Sequence, residues 1–528
     1  MLTRSFMNPD TTLLAYSPMF HSRLFATTPR YRAEHFEPLH TGLPSPEEIP
    51  SALSITPASC HLDGNPAADR PLFVQFCSND PAHLLAAAQY VAPFCDAVDL
   101  NLGCPQGIAR KGHYGAFLQE DWPLIHRLIN TLHTQLFVPV TAKFRIQETR
   151  EKTLAYARMI LAAGASIITV HGRRREQKGH ATGMADWDMI RYLRDNLPPD
   201  TVIFANGNIL QHADIQACLE ATGADGVMSA EGNLYDPTIF AAPPPIGEEG
   251  REYWRGRDGR GGYRMDAVLR RYMDIMYKHV LGREPPSRSP LFVPSDLAAV
   301  TASAKDTCTS LTSDEHVDGP PLKKQKTDSV SKAATKNRTS SPNLSVIQPH
   351  LFHMLRPLVS KHTHIRDALA RARGGDIGAF EDVLQKVELA VREGLLEYAK
   401  EPGRIETEMA IAIQAISGTC LQVDDADPSA SSIAAVARCK RPWWVCQPYV
   451  RPLPSEALQK GAMTLSKKEK SKLMSEMKYK QLKDDADTRA AGLIPEGGTR
   501  EEKVDEAGAE SYQKDESIEL PKDGMVCG

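Results

Sequence analysis

Short apolar runs recur along the first half of the chain, at residues 13–19, 71–77, 97–103, 138–145, 167–172, 202–207 and 226–231. Each is bounded by Gly, Pro or polar residues, the pattern of a buried strand. Between them, residues 81–92, 122–134, 151–163 and 212–222 carry the spacing of helices. Strand and helix in alternation predict a parallel α/β fold. The polar residues Gln75, Asn101, Cys104, Lys143, His171, Asn206 and Glu231 fall at the carboxyl ends of the predicted strands. A (β/α)8 TIM barrel builds its site there. A doubly wound sheet would open with a Gly-rich first turn, and none follows an early strand, so the barrel is the expected class. Seven strands are counted where closure needs eight, so the first strand of the barrel is expected to be missing and one seam unpaired.

Beyond the barrel the pattern changes. Residues 1–245 are read as the catalytic barrel and 246–284 as the start of a helical domain, with Met265, Val268, Leu269, Tyr272, Met273, Met276 and Val280 on one helical face. Residues 285–345, rich in Ser, Thr, Pro, Asp and Lys, are expected to be a disordered insert. Helical spacing resumes in 346–452, and 453–528 read as a disordered tail, Lys-rich and then acidic. Sixty-two Lys and Arg against 66 Asp and Glu give a net charge of −4, so any nucleic-acid surface must be a local patch, not a uniform coat. The ten cysteines form no C-x-x-C pair, which argues against a zinc ribbon and a disulfide framework and for a reducing compartment. No apolar stretch is long enough to span a membrane, and no secretory leader is recognised, so cytoplasm and/or nucleus is expected.

The sharpest local feature runs from Asp99 through Asn101, Gly103, Cys104 and Pro105, and on through Arg110, Lys111, Gly112, His113, Tyr114, Gly115 and Ala116. A turn forced by Gly103 and Pro105 is expected to lift Cys104 to the barrel mouth, open to a ligand, whereas Cys77 and Cys95 read as core. An ordinary thiol, with a pKa near ~8.5, is protonated at neutral pH and can donate a proton without activation. Lys143 ends an apolar strand, which is costly unless its ammonium meets an anion or polar ligand; a snorkelling or ion-paired lysine is the alternative. Arg145 follows on the same side. His171 stands beside Arg173, Arg174 and Arg175, which could meet phosphates; a structural histidine is equally open. The loops holding Asn206, Gly207 and Asn208 and Ala230 and Glu231 are where barrels often bind phosphate, though bland loops would read the same. Gln75 offers both a donor and an acceptor to a ring edge.

Taken together, Gln75, Asn101-Leu-Gly-Cys-Pro105 with Gly112, Gly115 and Ala116, Lys143, His171-Gly-Arg173 and Asn206-Gly207 resemble the tRNA-dihydrouridine synthase family, over roughly residues 13–240. The wording around Cys104 is similar to the eukaryotic branch that acts on D-loop positions 16 and 17. The resemblance implies an NADPH-dependent FMN enzyme that reduces uridine to 5,6-dihydrouridine in tRNA. It implies Cys104 as proton donor, and Gln75, Lys143 and His171 near the flavin ring. Asn206, Gly207, Asn208, Ala230 and Glu231 would hold the ribityl phosphate, and Arg145, Arg173, Arg174 and Arg175 would face RNA. A helical domain crowded with His350, His353, Arg356, Lys361, His362, His364 and Arg366 would grip the tRNA. A monomer without metal is expected. The rival readings are a flavin barrel of dihydroorotate dehydrogenase type acting on a small substrate, and an inactive RNA-binding relative.

Overall fold

In the computed structural model, the residues described are 1–8, 11–39, 62–178, 182–256, 261–297 and 341–401, with a few isolated positions besides. Eight strands form one parallel sheet: β1 (Ala15–Tyr16), β2 (Phe20–His21), β3 (Leu72–Cys77), β4 (Ala97–Leu102), β5 (Val140–Arg145), β6 (Ile167–His171), β7 (Val202–Asn206) and β8 (Gly226–Met228). From β3 onward each strand pairs with the next, and β1 and β2 both pair with β3. The architecture is that of a (β/α)8 barrel.

The run expected as one strand over 13–19 is instead two short pieces. Pro18 has no N–H for the ladder, and the Gln75 N–H on β3 goes to Ser17 Oγ at 2.9 Å. Among the described residues β1 and β8 share no ladder. Residues Thr3–Phe6 form a 3-10 turn that touches both ends of the sheet. The Arg4 guanidinium binds the carbonyls of Leu13 and Pro71 and the carboxylate of Asp69, and Thr3 Oγ1 donates to Asn233 just past β8. The seam is therefore lined with polar contacts instead of being a bare edge.

Helices pack around the sheet, and most start on a side-chain cap. Asp80 opens α3 (Pro81–Val91) after the short α1 (Ser22–Thr27) and α2 (Pro29–His35), accepting from the His83 N–H. The helix α4 (Gly107–Gly112) follows β4. Asp121 caps α5 (Trp122–Gln135), Thr149 caps α6 (Arg150–Ala162) and Asp186 caps α7 (Trp187–Asn196). Gln211 and Asp214 form a capping box on α8 (His212–Thr222). Val98, Leu100 and Leu102 of β4 join Val74, Phe76, Phe144, Ile168, Val170 and Ala205 in the main core.

A second apolar cluster lies in the helical part. After α9 (Glu231–Tyr235) and the hairpin β9 (Tyr253–Arg255) with β10 (Gly261–Tyr263), α10 (Met265–Ile275) continues into a wide turn over Met276–Val280. It packs with α11 (Pro342–Ser345), α12 (Ile347–Met354), α13 (Arg356–Lys361), α14 (Thr363–Arg371) and α15 (Ile377–Lys400). One helical domain is thus assembled from both sides of the insert. At both ends of 285–345 the described residues are held in the fold. Arg288 pairs with Asp274 and Glu381, Leu291 is buried, and the Phe292 carbonyl accepts from Arg264. At the far end, α11 lies where disorder was expected. The Lys-rich tail, the Lys323–Lys326 cluster and Trp443–Trp444 lie outside the described residues.

Candidate active site

Period-two alternation divides the central strands into two sets. On β4, Val98, Leu100 and Leu102 enter the main core, while Asp99 and Asn101 meet polar groups from β3 and β5. The ladder register then lines up the candidate residues across neighbouring strands: Gln75 opposite Asp99, Asn101 opposite Lys143, Arg145 opposite His171, and His171 opposite Asn206. Six of the residues singled out in the sequence therefore share one rim of the sheet, at its carboxyl edge.

Cys104 stands on the turn after β4. Asn101 Oδ1 accepts from the Gly103 N–H at 3.0 Å and the Cys104 N–H at 2.8 Å, and the Cys104 carbonyl accepts from the Ala116 N–H at 3.1 Å. Gly115 allows that return of the chain: at φ +63° a Cβ there would lie 2.9 Å from the Cys104 carbonyl oxygen. The expectation of an open thiol needs correction. Cys104 is only 2% exposed and belongs to a small cluster with Cys77, Ala109 and Tyr114, flanked by Met19 and Phe117. Cys77 also leaves the main core for this cluster, and burial, with the neighbouring Cys104, pushes its thiol up to about 12.

Three cations, Lys143, Arg145 and Arg173, surround His171. Burial first, then these charges, hold the imidazole well below its ordinary pKa, so it is neutral. Arg173 lies 3.1 Å from His171 Nε2; a guanidinium only donates, so Nε2 accepts and the ring proton sits on Nδ1. Among the described residues His171 Nδ1 and, on the paired residue of β7, Asn206 Oδ1 are buried without partners, one a donor and one an acceptor. Buried polar atoms are seldom left unpaired in a finished structure, so this pair fits the polar edge of a bound ring. The Asn206 amide itself donates to the Met228 carbonyl at 2.8 Å. Beyond it the chain turns through Gly207 at φ +114°, and Asn208 Oδ1 accepts from Arg173. Ser229 Oγ donates to the Ile209 carbonyl at 2.8 Å, joining the loops after β7 and β8 just before Ala230 and Glu231, where α9 begins.

The arginines divide. Arg145 is buried and donates to the carbonyls of Gly103, Arg174 and Gln177, so it braces loops and is not free for a phosphate. Arg175 pairs with Glu120 and Glu176 and lies over the Phe117 ring. Arg173 serves His171 and Asn208. Arg174 is the exposed member of the set. In the helical domain His350 is half-buried against the Tyr272 hydroxyl, and His353 and Arg356 pack on the Tyr235 ring. His353 and Arg356 thus tie the domain to α9, whereas His350 meets α10 within the domain; Arg356 is exposed.

The sequence alone assigns no role to Asp99, Thr141 or Tyr16. Thr141 Oγ1 donates to Asp99 Oδ1 at 2.6 Å, and Tyr16 OH meets Thr169 Oγ1 at 3.2 Å. The signal was present as polar residues at every second position of otherwise apolar strands. Among the described residues no group of three side chains could hold a metal ion, and no helix is long and apolar enough to cross a membrane.

Residues 4–252 match the family described as Dihydrouridine synthase (Dus). The chain is 40% identical over 441 residues to the tRNA-dihydrouridine(16/17) synthase of Saccharomyces cerevisiae, whose name carries NAD(P)(+); the match covers 83% of this chain and 78% of the yeast protein. The protein of the same name from Schizosaccharomyces pombe is also 40% identical over 441 residues, 83% of this chain and 82% of its own. A mouse tRNA-dihydrouridine(16/17) synthase-like protein is 43% identical over 241 residues, 46% of this chain and 45% of its own.

Proposed function

The chain belongs to the dihydrouridine synthase family, and from that premise we propose that it reduces uridine to 5,6-dihydrouridine in tRNA, at D-loop positions 16 and 17, with FMN as its redox group and NADPH as reductant. The observation that carries the reading is the ladder register. It sets Asn101 beside Lys143 and His171 beside Asn206, with Gln75 hydrogen-bonded to Asn101 and Cys104 on the adjoining turn.

FMN, when bound, would supply the hydride-transfer chemistry between NADPH and C6 of the uracil. The residues do the rest. Asn206 Oδ1 and His171 Nδ1–H offer an acceptor and a donor to the ring edge. Lys143 presents a cation where negative charge collects. Cys104 transfers its Sγ proton to uracil C5, which balances the hydride added at C6, and the thiolate regains a proton before the next turnover. The uracil must leave its stack to come this close, and Arg174 is an exposed cation of the loop beside the site.

The test is Cys104→Ala. We expect bound flavin and flavin reduction by NADPH to persist, and dihydrouridine formation in tRNA, read by mass spectrometry of nucleosides, to fall about 10²–10⁴-fold. Near-normal dihydrouridine from this variant would overturn the assignment.

A further inference from the structure

We propose that Asp99 is a positioning residue for Cys104: it fixes the direction of the Gln75 and Asn101 amides and, through them, holds the turn that carries the thiol. The inference rests on the reading of Cys104 as the acid.

The chain of contacts is continuous. Asp99 Oδ2 accepts from Gln75 Nε2 at 2.8 Å. Gln75 Oε1 accepts from Asn101 Nδ2 at 2.8 Å. Asn101 Oδ1 accepts from the N–H groups of Gly103 at 3.0 Å and Cys104 at 2.8 Å. One end is a carboxylate, which only accepts; the other is a pair of backbone N–H groups, which only donate. Between those ends two amides have a single consistent orientation. Turning them both over would set oxygen against oxygen at Asp99 and donor against donor at Cys104. The second carboxylate oxygen is used as well, by Thr141 Oγ1 at 2.6 Å.

The cost of this arrangement argues for its use. Asp99 is fully buried, and a buried carboxylate is expensive to keep. An apolar side chain would fill the same place on β4 at lower cost, but could not enforce the direction of the amides. Misplacing a reacting group by about 1 Å can cost about 10²-fold in rate.

The experiment is a double-mutant cycle on the flavin-loaded full chain, with Cys104→Ala, Asp99→Ala and the double variant. The readout is single-turnover reduction of tRNA uridine by pre-reduced enzyme, together with hydrogen–deuterium exchange of the peptide spanning Gly103 and Cys104. We expect Asp99→Ala to slow the step about 10–100-fold and to speed exchange in that peptide. The double variant should be no slower than Cys104→Ala alone, because Asp99 acts through the thiol. Asp99→Asn, whose Oδ1 can still accept from Gln75 while its Nδ2 meets Thr141, should recover most of the loss. If Asp99→Ala is insoluble, Asp99→Asn carries the same cycle with a smaller effect, about 3–10-fold. Full multiplicative losses in the double variant, unchanged exchange, or a wild-type rate in Asp99→Ala would overturn the inference. An unimpaired Cys104→Ala would instead remove the reading on which it rests.

Discussion

Gly207 bears a tight steric constraint beside the site. A Cβ there would come 2.7 Å from Ala185 Cβ and 3.1 Å from His171 Cδ2, with φ at +114°. Gly207→Ala should therefore cost about 1–3 kcal/mol and push His171 off its position. Thermal unfolding together with flavin absorbance per mole measures both, and a variant with wild-type flavin content would sink the placement of His171 at the ring. At this scale the sequence exposes chemistry wherever a residue type is unusual for its element. Lys143 and His171 at the ends of apolar strands, and Cys104 between Gly and Pro, are visible for that reason. Their neighbours are harder to foresee. Whether Arg145 and Arg175 meet a ligand or a carbonyl depends on loops folded over from distant parts of the chain, and Cys104's enclosure depends on Tyr114 and Met19 arriving from two other segments. Asp99 is hidden by its surroundings, because in a run of Val, Asp, Leu, Asn and Leu it passes for a strand's polar face.

Helices α3, α5, α6 and α8 were legible to within a residue or two, whereas α7, though it starts on the Asp186 cap, was not among the expected helices. Asp80, Asp121 and Thr149 cap α3, α5 and α6, and α8 falls at the expected 212–222. The short α4 and α9 were not legible, since five or six residues are too few to show a period. Element packing also decides the state of His350 on α12. Burial, with His353 nearby, lowers its pKa to about 4, and its Nδ1 lies 3.0 Å from the Tyr272 hydroxyl on α10. The folded protein thus takes up this proton less readily than the unfolded chain, whose histidines titrate near ~6.5. The stability contributed is complete above that value and is lost as pH falls through 6.5 towards 4, by about 2 kcal/mol at pH 5. Denaturant midpoints at pH 7 and pH 5 should show the loss in the parent protein and a smaller one in His350→Gln. Equal losses in both would mean that other groups carry the acid sensitivity; buried His171 acts in the same sense.

Across the whole molecule, the boundary between barrel and helical domain is bridged by side chains from both. His353 and Arg356 meet Tyr235 of α9, and Phe6 stacks edge-on to Tyr263 at 4.9 Å within the helical cluster. Helical spacing on either side of residue 300 had suggested one interrupted domain; that α10 and α15 meet through Arg270 and Glu388 is a matter of three-dimensional packing that no local pattern encodes. The segment from residue 453 has a separate character. It holds Lys467, Lys468, Lys470, Lys472, Lys478, Lys480 and Lys483, followed by acidic residues from Glu501 to Glu519. Neither apolar cluster, among the described residues, draws on anything beyond Val445. Deleting residues 453–528 should therefore leave a soluble, folded chain with its flavin content unchanged. Lysines near the tRNA backbone displace counterions, so their removal should weaken tRNA binding modestly, by about tenfold or less near 0.15 M salt, and make the dependence of log Kd on log salt shallower. Binding titrations of both lengths at several salt concentrations measure the two slopes. Insoluble protein after truncation would mean that the tail is needed by the fold, and identical slopes would mean that its lysines do not reach the RNA.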